Sequence, residues 1–229
     1  VMRFSQAGWR VITCSRHAFP ENCPWDAGPE DHIQIDLGDI ENTRDGICEM
    51  KERLKADGKI RSIGASNTSR EDLDAYLAAG QLDAIQEEYS MVVRDLEKSL
   101  LPTCIENNVS VLSYSSLALG LLSGKIGPDR QFSGDDLRKD NPRFSQSNRE
   151  KVEQLMQQID PIADAHGATR AQIVIAWTLQ QPGITFSLCG ARNAAQAREN
   201  AKAGRIRLSG SEIVLIGKAA QTHLSQLDA

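Results

Sequence analysis

The stretch VSVLSYSSLALGLLSGK, residues 109–125, decides the fold. It opens with a β-branched apolar run at 109–114 and continues through a cluster of serines and two glycines to a lysine. In α/β proteins an apolar strand is often followed by a loop of small residues, where backbone N–H groups can approach an anion. The stretch therefore predicts a strand that feeds a phosphate-binding loop.

Similar strand candidates recur along the chain, and amphipathic helices separate them. The candidates are IRSIGAS (60–66), DAIQ (83–86) and ITFSLCG (184–190). Ser69 is suited to cap the helix that carries Leu73 and Leu77, and capping boxes are predicted at 147–150, 169–172 and 209–212. Apolar strands between such helices predict a parallel sheet covered on both faces, or a barrel.

The N-terminal part adds two strand candidates, WRVITCS (9–15) and HIQIDL (32–37). A helix is predicted next, with Ile47, Met50 and Leu54 on one face and with Asp57-Gly58 at its end. The polar segment 125–146 is too long for a plain connection, so it predicts a surface loop or lid, with a disordered insertion as the alternative.

Composition indicates an ordinary globular protein of 229 residues, with 40% hydrophobic and 25% charged residues. The net charge of −5 argues against a nucleic-acid partner. No apolar run approaches the roughly 18–20 residues of a membrane span, and no signal peptide is recognisable. The chain begins with Val1 rather than methionine, which favours a fragment or a processed product.

The five cysteines are scattered and form no C-x-x-C pair. That pattern predicts neither a disulfide framework nor a zinc site, and no metal site is expected. Reduced thiols in a cytoplasmic protein are the expectation.

Polar side chains follow each of the later strands. Ser66, Asn67, Tyr114 and Arg192 are examples. Ligands of α/β proteins gather at the carboxyl ends of the strands, where Arg192 could bind a phosphate and Tyr114 could stack on an aromatic ring. For Tyr114, simple core packing is the alternative.

From about residue 54 to the end, the chain resembles an aldo/keto reductase. The matching stretches are GKIRSIGASNTSREDL (58–73), residues 82–125, NPRF (141–144) and residues 184–209, in family order. The resemblance implies the second half of an eight-stranded (β/α)8 barrel that binds NADP(H) and reduces small carbonyl compounds.

The same resemblance implies roles at the cofactor. Ser66, Asn67 and Gln86 would hold the nicotinamide amide, and Tyr114 would stack on the ring. The pyrophosphate loop would comprise Ser115, Leu117, Gly120, Leu121, Ser123 and Lys125. The adenosine end would be contacted by Gly190, Ala191, Arg192, Gln196, Glu199 and Asn200. Some family members have arginine at the position of Gln196, so NAD stays an alternative to NADP(H).

The catalytic groups of the family are not matched. Its proton donor is a tyrosine tuned by a lysine, an aspartate and a histidine on the first four strands. The three tyrosines of this chain are Tyr76, Tyr89 and Tyr114, and none falls at the donor position. We therefore predict no catalytic residue and an impaired or inactive chain. The alternative is a non-catalytic NADP(H)-binding or structural module.

Residues 1–53 resemble instead the second and third strands of a short-chain dehydrogenase. That likeness implies that Arg16, with Ser15, contacts the 2′-phosphate and that Asp36 and Leu37 touch the adenine. A divergent aldo/keto reductase start is the alternative. The prediction is thus a truncated or chimeric chain with domains at 1–53 and 54–229, joined somewhere in 44–60.

The expected fold is α/β: half a barrel with about two extra N-terminal parallel strands. Six strands do not close the standard eight-stranded barrel. Exposed sheet edges would follow, and with them homo-oligomerisation.

Overall fold

The computed structural model describes residues 6, 13–15, 17–24, 27–36, 38–225 and 227. These fall into two compact units. One comprises Val1–Ile63 with Asp74–Leu82, and the other comprises Gly64–Leu73 with Asp83–Ala229. The predicted boundary at 53/54 rests on family resemblance and stays a prediction.

The first unit contains a short parallel pair, β1 (Thr13–Ser15) and β2 (His32–Gln34). Helix α1 (Ile40–Ala56) follows, with the Asp39 carboxylate accepting the Asn42 N–H at its start. Strand candidates were predicted at both places. Positions 9–12, Arg16 and Leu37 lie outside the described residues.

Helix α1 ends at Ala56 and has Asp57 as its C-cap, which agrees with the predicted end, but its packing face differs from the prediction. Ile47 is 46% exposed, whereas Gly46 is buried against β2. A Cβ at Gly46 would lie 2.5 Å from Ile35 Cγ1, so this close approach requires glycine. The spacing of apolar side chains did not indicate this face, because glycine has no side chain to contribute to the pattern.

The second unit is built on a four-stranded parallel sheet in the order β3-β4-β5-β6. The strands are β3 (Gly64–Ser66), β4 (Ala84–Glu88), β5 (Ser110–Tyr114) and β6 (Ile184–Ser187). All pairings are parallel, with Ser66 opposite Gln86 and Glu88 opposite Tyr114. The four strand ends therefore lie at one edge of the sheet.

Helices alternate with these strands. They are α2 (Arg70–Ala79), α3 (Leu100–Glu106), α4 (Gln146–Ala165), α5 (Arg170–Leu179), α6 (Ala194–Ala203) and α7 (Gly210–Leu224). Helix α5 is buried over residues 171–178, and Trp177 at its end is 1% exposed. Short 3-10 turns lie at Pro29–Asp31, Asp95–Lys98, Ala118–Ser123 and Pro142–Phe144.

Two of the three predicted capping boxes are confirmed, at Thr169 with Gln172 and at Ser209 with Glu212. The box predicted at 147–150 is wrong, because α4 starts at Gln146 and is capped by Ser145, which accepts the Asn148 N–H. The 3-10 turn Pro142–Phe144 directly precedes Ser145, so the helix cap lies two residues earlier than predicted.

The surface loop predicted over 125–146 is confirmed for 125–141, which contains turns but no helix or strand, whereas Pro142–Phe144 form a 3-10 turn and Gln146 begins α4. Its base is held by Arg149 of α4, which is 7% exposed. The Arg149 guanidinium donates to the carbonyls of Gly127 (2.9 Å), Arg130 (2.7 Å) and Phe144 (3.0 Å). One buried guanidinium thus donates hydrogen bonds to three backbone carbonyls that lie outside the α-helices and strands.

The predicted α/β class with a parallel sheet is confirmed. Among the described residues β1–β2 and β3–β6 form separate sheets. The half-barrel and the extra strands therefore stay predictions. No helix within the described ranges is long and apolar enough to cross a membrane.

Candidate functional site at the strand ends

Asn67, which follows β3, makes hydrogen bonds to residues of both β4 and β5. The Asn67 N–H donates to the Gln86 carbonyl (3.1 Å), and the Ser66 hydroxyl donates to the same oxygen (3.0 Å). The Tyr114 hydroxyl donates to Asn67 Oδ1 (2.7 Å). Asn67 has a φ of 56°, a left-handed conformation that asparagine tolerates better than most residues.

The end of β4 carries two carboxylates on opposite faces. Glu87 is 4% exposed, and its Oε1 accepts the Thr68 N–H (2.8 Å). Glu88 is half-buried and lies 3.5 Å from Arg143 of the NPRF segment. The predicted loop therefore ends in contact with the strand ends.

The end of β5 turns sharply after Tyr114. Ser115, Ala118 and Leu119 all have φ between 47° and 56°, and Gly120 has a φ of 93°. Within this turn the Ala118 and Gly120 N–H groups donate to the carbonyls of Ser115 (2.6 Å) and Leu117 (2.9 Å), so the turn is closed by its own backbone. The Ser123 hydroxyl donates to the Gly120 carbonyl (2.6 Å) and accepts the Lys125 N–H (3.2 Å).

Predicted loop residues differ in what their side chains can offer. Leu121 is fully buried, so only its backbone could face a ligand, while Leu117 is half-buried. Lys125 is exposed, and its ammonium lies 3.4 Å from Glu199 Oε2. Glu199 also accepts the Thr169 hydroxyl (3.2 Å), so it connects the loop to α5 and α6.

The end of β6 leads into the start of α6. Asn193 caps this helix by accepting the Gln196 N–H, and the Gln196 side chain accepts the Arg192 N–H (2.8 Å). The Asn200 amide donates back to the Gly190 carbonyl (3.2 Å). In the part of the chain that the structure describes, the exposed Arg192 guanidinium has no hydrogen-bond acceptor. It is available to an anion at a helix start.

A chain of hydroxyls that sequence reasoning missed joins β5 to β6. Ser116 is 1% exposed, and its Oγ lies 2.7 Å from Ser187 Oγ and 3.4 Å from Ser113 Oγ. Ser113 in turn donates to the Phe186 carbonyl (3.2 Å). Serines at 113 and 116 were visible in sequence, but only strand pairing brings them to Ser187.

The loop at 125–141 approaches the same region. The Arg138 guanidinium lies 4.9 Å from the centre of the Phe132 ring and binds the Asp136 carboxylate through two nitrogens. That carboxylate has a pKa lowered to about 2, chiefly by the Arg138 hydrogen bonds and also by the charge of Arg192. A cavity of about 560 Å³ lies within this loop and is lined by residues 134–137 and 140–142, none of them predicted for the cofactor site.

Two of the three tyrosines have hydroxyls whose pKa is raised. Burial, and then the carboxylates of Glu88 and Glu87, raise the pKa of Tyr114. Burial and a hydrogen bond to Glu97 (2.6 Å) raise the pKa of Tyr89 far above its usual range. Tyr76 is 44% exposed on α2. A general acid needs a pKa moved toward neutrality, and neither shift has that direction.

Several of the predicted residues contact one another: Asn67 binds Gln86 and Tyr114, and Lys125 lies beside Glu199. The residues present fit a dinucleotide, because aromatic and amide groups lie at one end of the site, and at the other a helix start lies beside the Arg192 guanidinium, which has no hydrogen-bond acceptor among the described residues.

The profile of the aldo/keto reductase family matches residues 19–221. Because the match begins at residue 19, it includes most of the segment predicted to resemble a short-chain dehydrogenase. The family assignment therefore extends over 19–53, and the two-family origin of the chain is not supported there.

Sequence relatives of the chain support the same family. The chain is 38% identical over 148 residues to "Aldo-keto reductase YhdN" of Bacillus subtilis, covering 64% of this chain and 44% of that protein. It is 37% identical over 168 residues to the "NADH-specific methylglyoxal reductase" of Escherichia coli, covering 73% and 51%. The chain thus spans about half the length of the curated relatives it matches.

Solved structures agree as well. The structure of the glycerol dehydrogenase AKR11B4 from Gluconobacter oxydans superposes with a TM-score of 0.74 at 29% identity. The superposition covers 85% of this chain and 58% of that one. With the family profile spanning most of its length, this chain belongs to the aldo/keto reductase family.

Proposed function

We propose that the chain binds NADP(H) in extended form along the ends of β3 to β6, as part of a carbonyl-reducing oxidoreductase. The supporting observation is the bond from the Tyr114 hydroxyl to the Asn67 side chain, together with the bond from the Asn67 N–H to the Gln86 carbonyl, which bring residues of β4 and β5 to the end of β3. Bound NADPH would supply a hydride to a small carbonyl substrate.

In this proposal each end of the site binds a different part of the cofactor. Ser66, Asn67 and Gln86 orient the carboxamide, and the Tyr114 ring limits one face of the nicotinamide. The left-handed turn from Ser115 to Gly120 would lie along the pyrophosphate. Further contacts of the pyrophosphate and the adenosine phosphate would come from Leu117, Leu121, Ser123, Lys125, Gly190, Ala191, Gln196, Glu199 and Asn200.

The preference for NADP(H) rests on Arg192. Its guanidinium has no hydrogen-bond acceptor among the described residues, and a 2′-phosphate is a natural partner for it. One relative is described as NADH-specific, so the phosphate preference has to be measured. Arg192→Ala should weaken NADPH about tenfold or more and leave NADH nearly unchanged, because one charge-assisted contact is lost.

Fluorescence titration of the reduced cofactor measures both affinities. Arg205→Ala is the matched control, since Arg205 is exposed beyond the other end of the same helix. An equal effect of Arg192→Ala on NADPH and NADH would contradict the assignment of the phosphate to this residue.

We further propose that this chain alone reduces carbonyls poorly. Without a positioned proton donor the developing alkoxide is not protonated, and such groups contribute about 10²–10⁴-fold. NADPH oxidation with methylglyoxal at an ordinary enzymatic rate would contradict this.

The alternative function is a non-catalytic NADP(H)-binding module. It is favoured by the upward pKa shifts of Tyr89 and Tyr114, which leave both hydroxyls poor proton donors. Tight NADPH binding without turnover on any small aldehyde or ketone would support the module. Failure to bind either reduced cofactor would contradict both functions.

We propose that 54–229 form half a barrel and that copies associate through the open edge of β6. Within the described ranges β6 pairs only with β5, and Phe186 on it is 56% exposed. An uncharged open edge is a template for pairing. Sedimentation at high concentration should show a dimer or larger species that Thr185→Pro abolishes, since proline cannot pair there. A monomer at all concentrations would contradict the association.

A cytoplasmic location is proposed because Cys23, Cys48, Cys104 and Cys189 are free thiols. Subcellular fractionation tests it. Of the predicted short-chain dehydrogenase likeness of residues 1–53, only the part before residue 19 lies outside the aldo/keto reductase match, and there it stays a hypothesis.

A further inference from the structure

We infer that Glu87 is a positioning residue that holds the Asn67–Thr68 turn, and through it the Tyr114 side chain, in place before any cofactor binds. Nothing in the resemblance gives this side chain a role. The inference rests on the proposed function only for its consequence on nicotinamide binding.

The first step is the location of Glu87. Side chains alternate along β4, so Gln86 belongs to the proposed ligand side and Glu87 to the side covered by helices. Burial, and then the Glu87 charge, raise the pKa of the Cys104 thiol to about 11. Glu87 therefore lies close to the buried Cys104 of α3, and so does Arg70, whose charge acts on the thiol in the opposite direction. A carboxylate in such a place is costly to keep unless it is paired.

The second step is what the carboxylate binds. Its Oε1 accepts the backbone N–H of Thr68 at 2.8 Å, and Thr68 is itself 8% exposed. A charge-assisted bond shielded from water is stronger than an ordinary one, and removing the acceptor leaves a buried N–H unpaired. The bond lies just before α2, where the positive helix end also favours a negative charge.

The third step is what this bond fixes. Thr68 directly follows Asn67, whose φ of 56° is less populated than the right-handed or extended regions. Surrounding contacts must select that conformation: the Asn67 N–H bond to the Gln86 carbonyl holds one side of the turn, and the Thr68–Glu87 bond holds the other. The Asn67 side chain then accepts the Tyr114 hydroxyl at 2.7 Å. Losing Glu87 would free the turn and leave the Tyr114 hydroxyl without a fixed acceptor.

The experiment compares Glu87→Gln, which keeps an acceptor oxygen, with Glu87→Met, which is similar in length but apolar. Glu106→Met is the matched control at an exposed carboxylate of α3. In the cofactor-free protein, amide exchange of Thr68 should accelerate about tenfold in Glu87→Met, the loss of one charge-assisted hydrogen bond. Glu87→Gln should stay close to the parent.

A second readout separates positioning from general destabilisation. Glu87→Met should weaken the binding of NADPH about tenfold. The affinity for 2′,5′-ADP, which lacks the nicotinamide, should change less than about twofold. Glu87→Gln should restore NADPH affinity. An equal loss for both ligands, or a Gln variant that behaves like Met, would overturn the inference.

The two proposals fail in different ways. If the parent chain binds neither NADPH nor 2′,5′-ADP, the proposed function is refuted, and Thr68 exchange alone decides the inference. If the parent binds both and Thr68 exchange is unchanged in Glu87→Met, the positioning role is refuted and the proposed function stands.

Discussion

The hydroxyl pair between β5 and β6 allows a sharp stability measurement. Ser116 Oγ is 2.7 Å from Ser187 Oγ, and Ser116 is 1% exposed whereas Ser187 is half-buried. Ser187→Ala leaves the buried Ser116 hydroxyl with Ser113 as its remaining partner, at 3.4 Å. We therefore expect the free energy of unfolding to fall by about 2 kcal/mol. Ser116→Ala leaves Ser187 access to water and should cost about 1 kcal/mol.

The double variant is the informative one. Replacing both hydroxyls by apolar groups leaves no unpaired partner, so it should cost about 2 kcal/mol, which implies a coupling of about 1 kcal/mol between the two sites. Urea unfolding followed by Trp177 fluorescence, with Trp9 and Trp25 replaced by phenylalanine, reports on the second unit. Ser147→Ala, exposed on α4, is the control. Costs that add to within about 0.3 kcal/mol would refute a direct hydroxyl contact.

Three other predictions follow from local geometry. Thr169→Ala removes the cap that accepts the Gln172 N–H and should cost about 1 kcal/mol, seen as a Tm lower by about 2–4 °C; an unchanged Tm contradicts it. Gly124→Ala should cost more than about 1 kcal/mol by urea unfolding, because φ is 71° and a Cβ would lie 2.5 Å from Arg170 Cδ; a neutral result contradicts the close approach. Burial, with the nearby Glu87 charge, raises the pKa of Cys104 from 9.0 to about 11, so its contribution to the free energy of unfolding is complete below pH 9 and is lost as the pH rises toward 11. Cys104→Ala should remove that part of the pH dependence, and an identical pH profile in this variant would count against the shift.

Strand ends and helix caps were readable from sequence because both depend on neighbours in the chain. The apolar run at 109–114 yielded β5, and the Thr169 and Ser209 boxes each satisfy N–H groups three residues away. The start of α4 was placed two residues late, because Ser145 and Ser147 offer similar caps and only the preceding turn selects Ser145.

Long-range pairings were beyond sequence reasoning. Nothing in the local pattern of Glu87 indicates that its carboxylate binds Thr68, nor that Ser116 meets Ser187 on another strand. Gly46 was overlooked for the same reason, since its meaning lies in the approach of Ile35. The proposed cofactor residues were predicted from family resemblance. The reason they lie near one another is visible only in the sheet, where four parallel strands end side by side.

Arg149 has a consequence for how this protein tolerates change in length. Its guanidinium fastens the carbonyls of Gly127 and Arg130, so a residue inserted between them would pull at least one away from a buried cation. Around Gly134 a Cβ would meet nothing within 4 Å. Extra residues at that tip add only a slowly growing closure entropy. Length variation, natural or engineered, should therefore accumulate near Gly134 and be rare between Gly127 and Arg130.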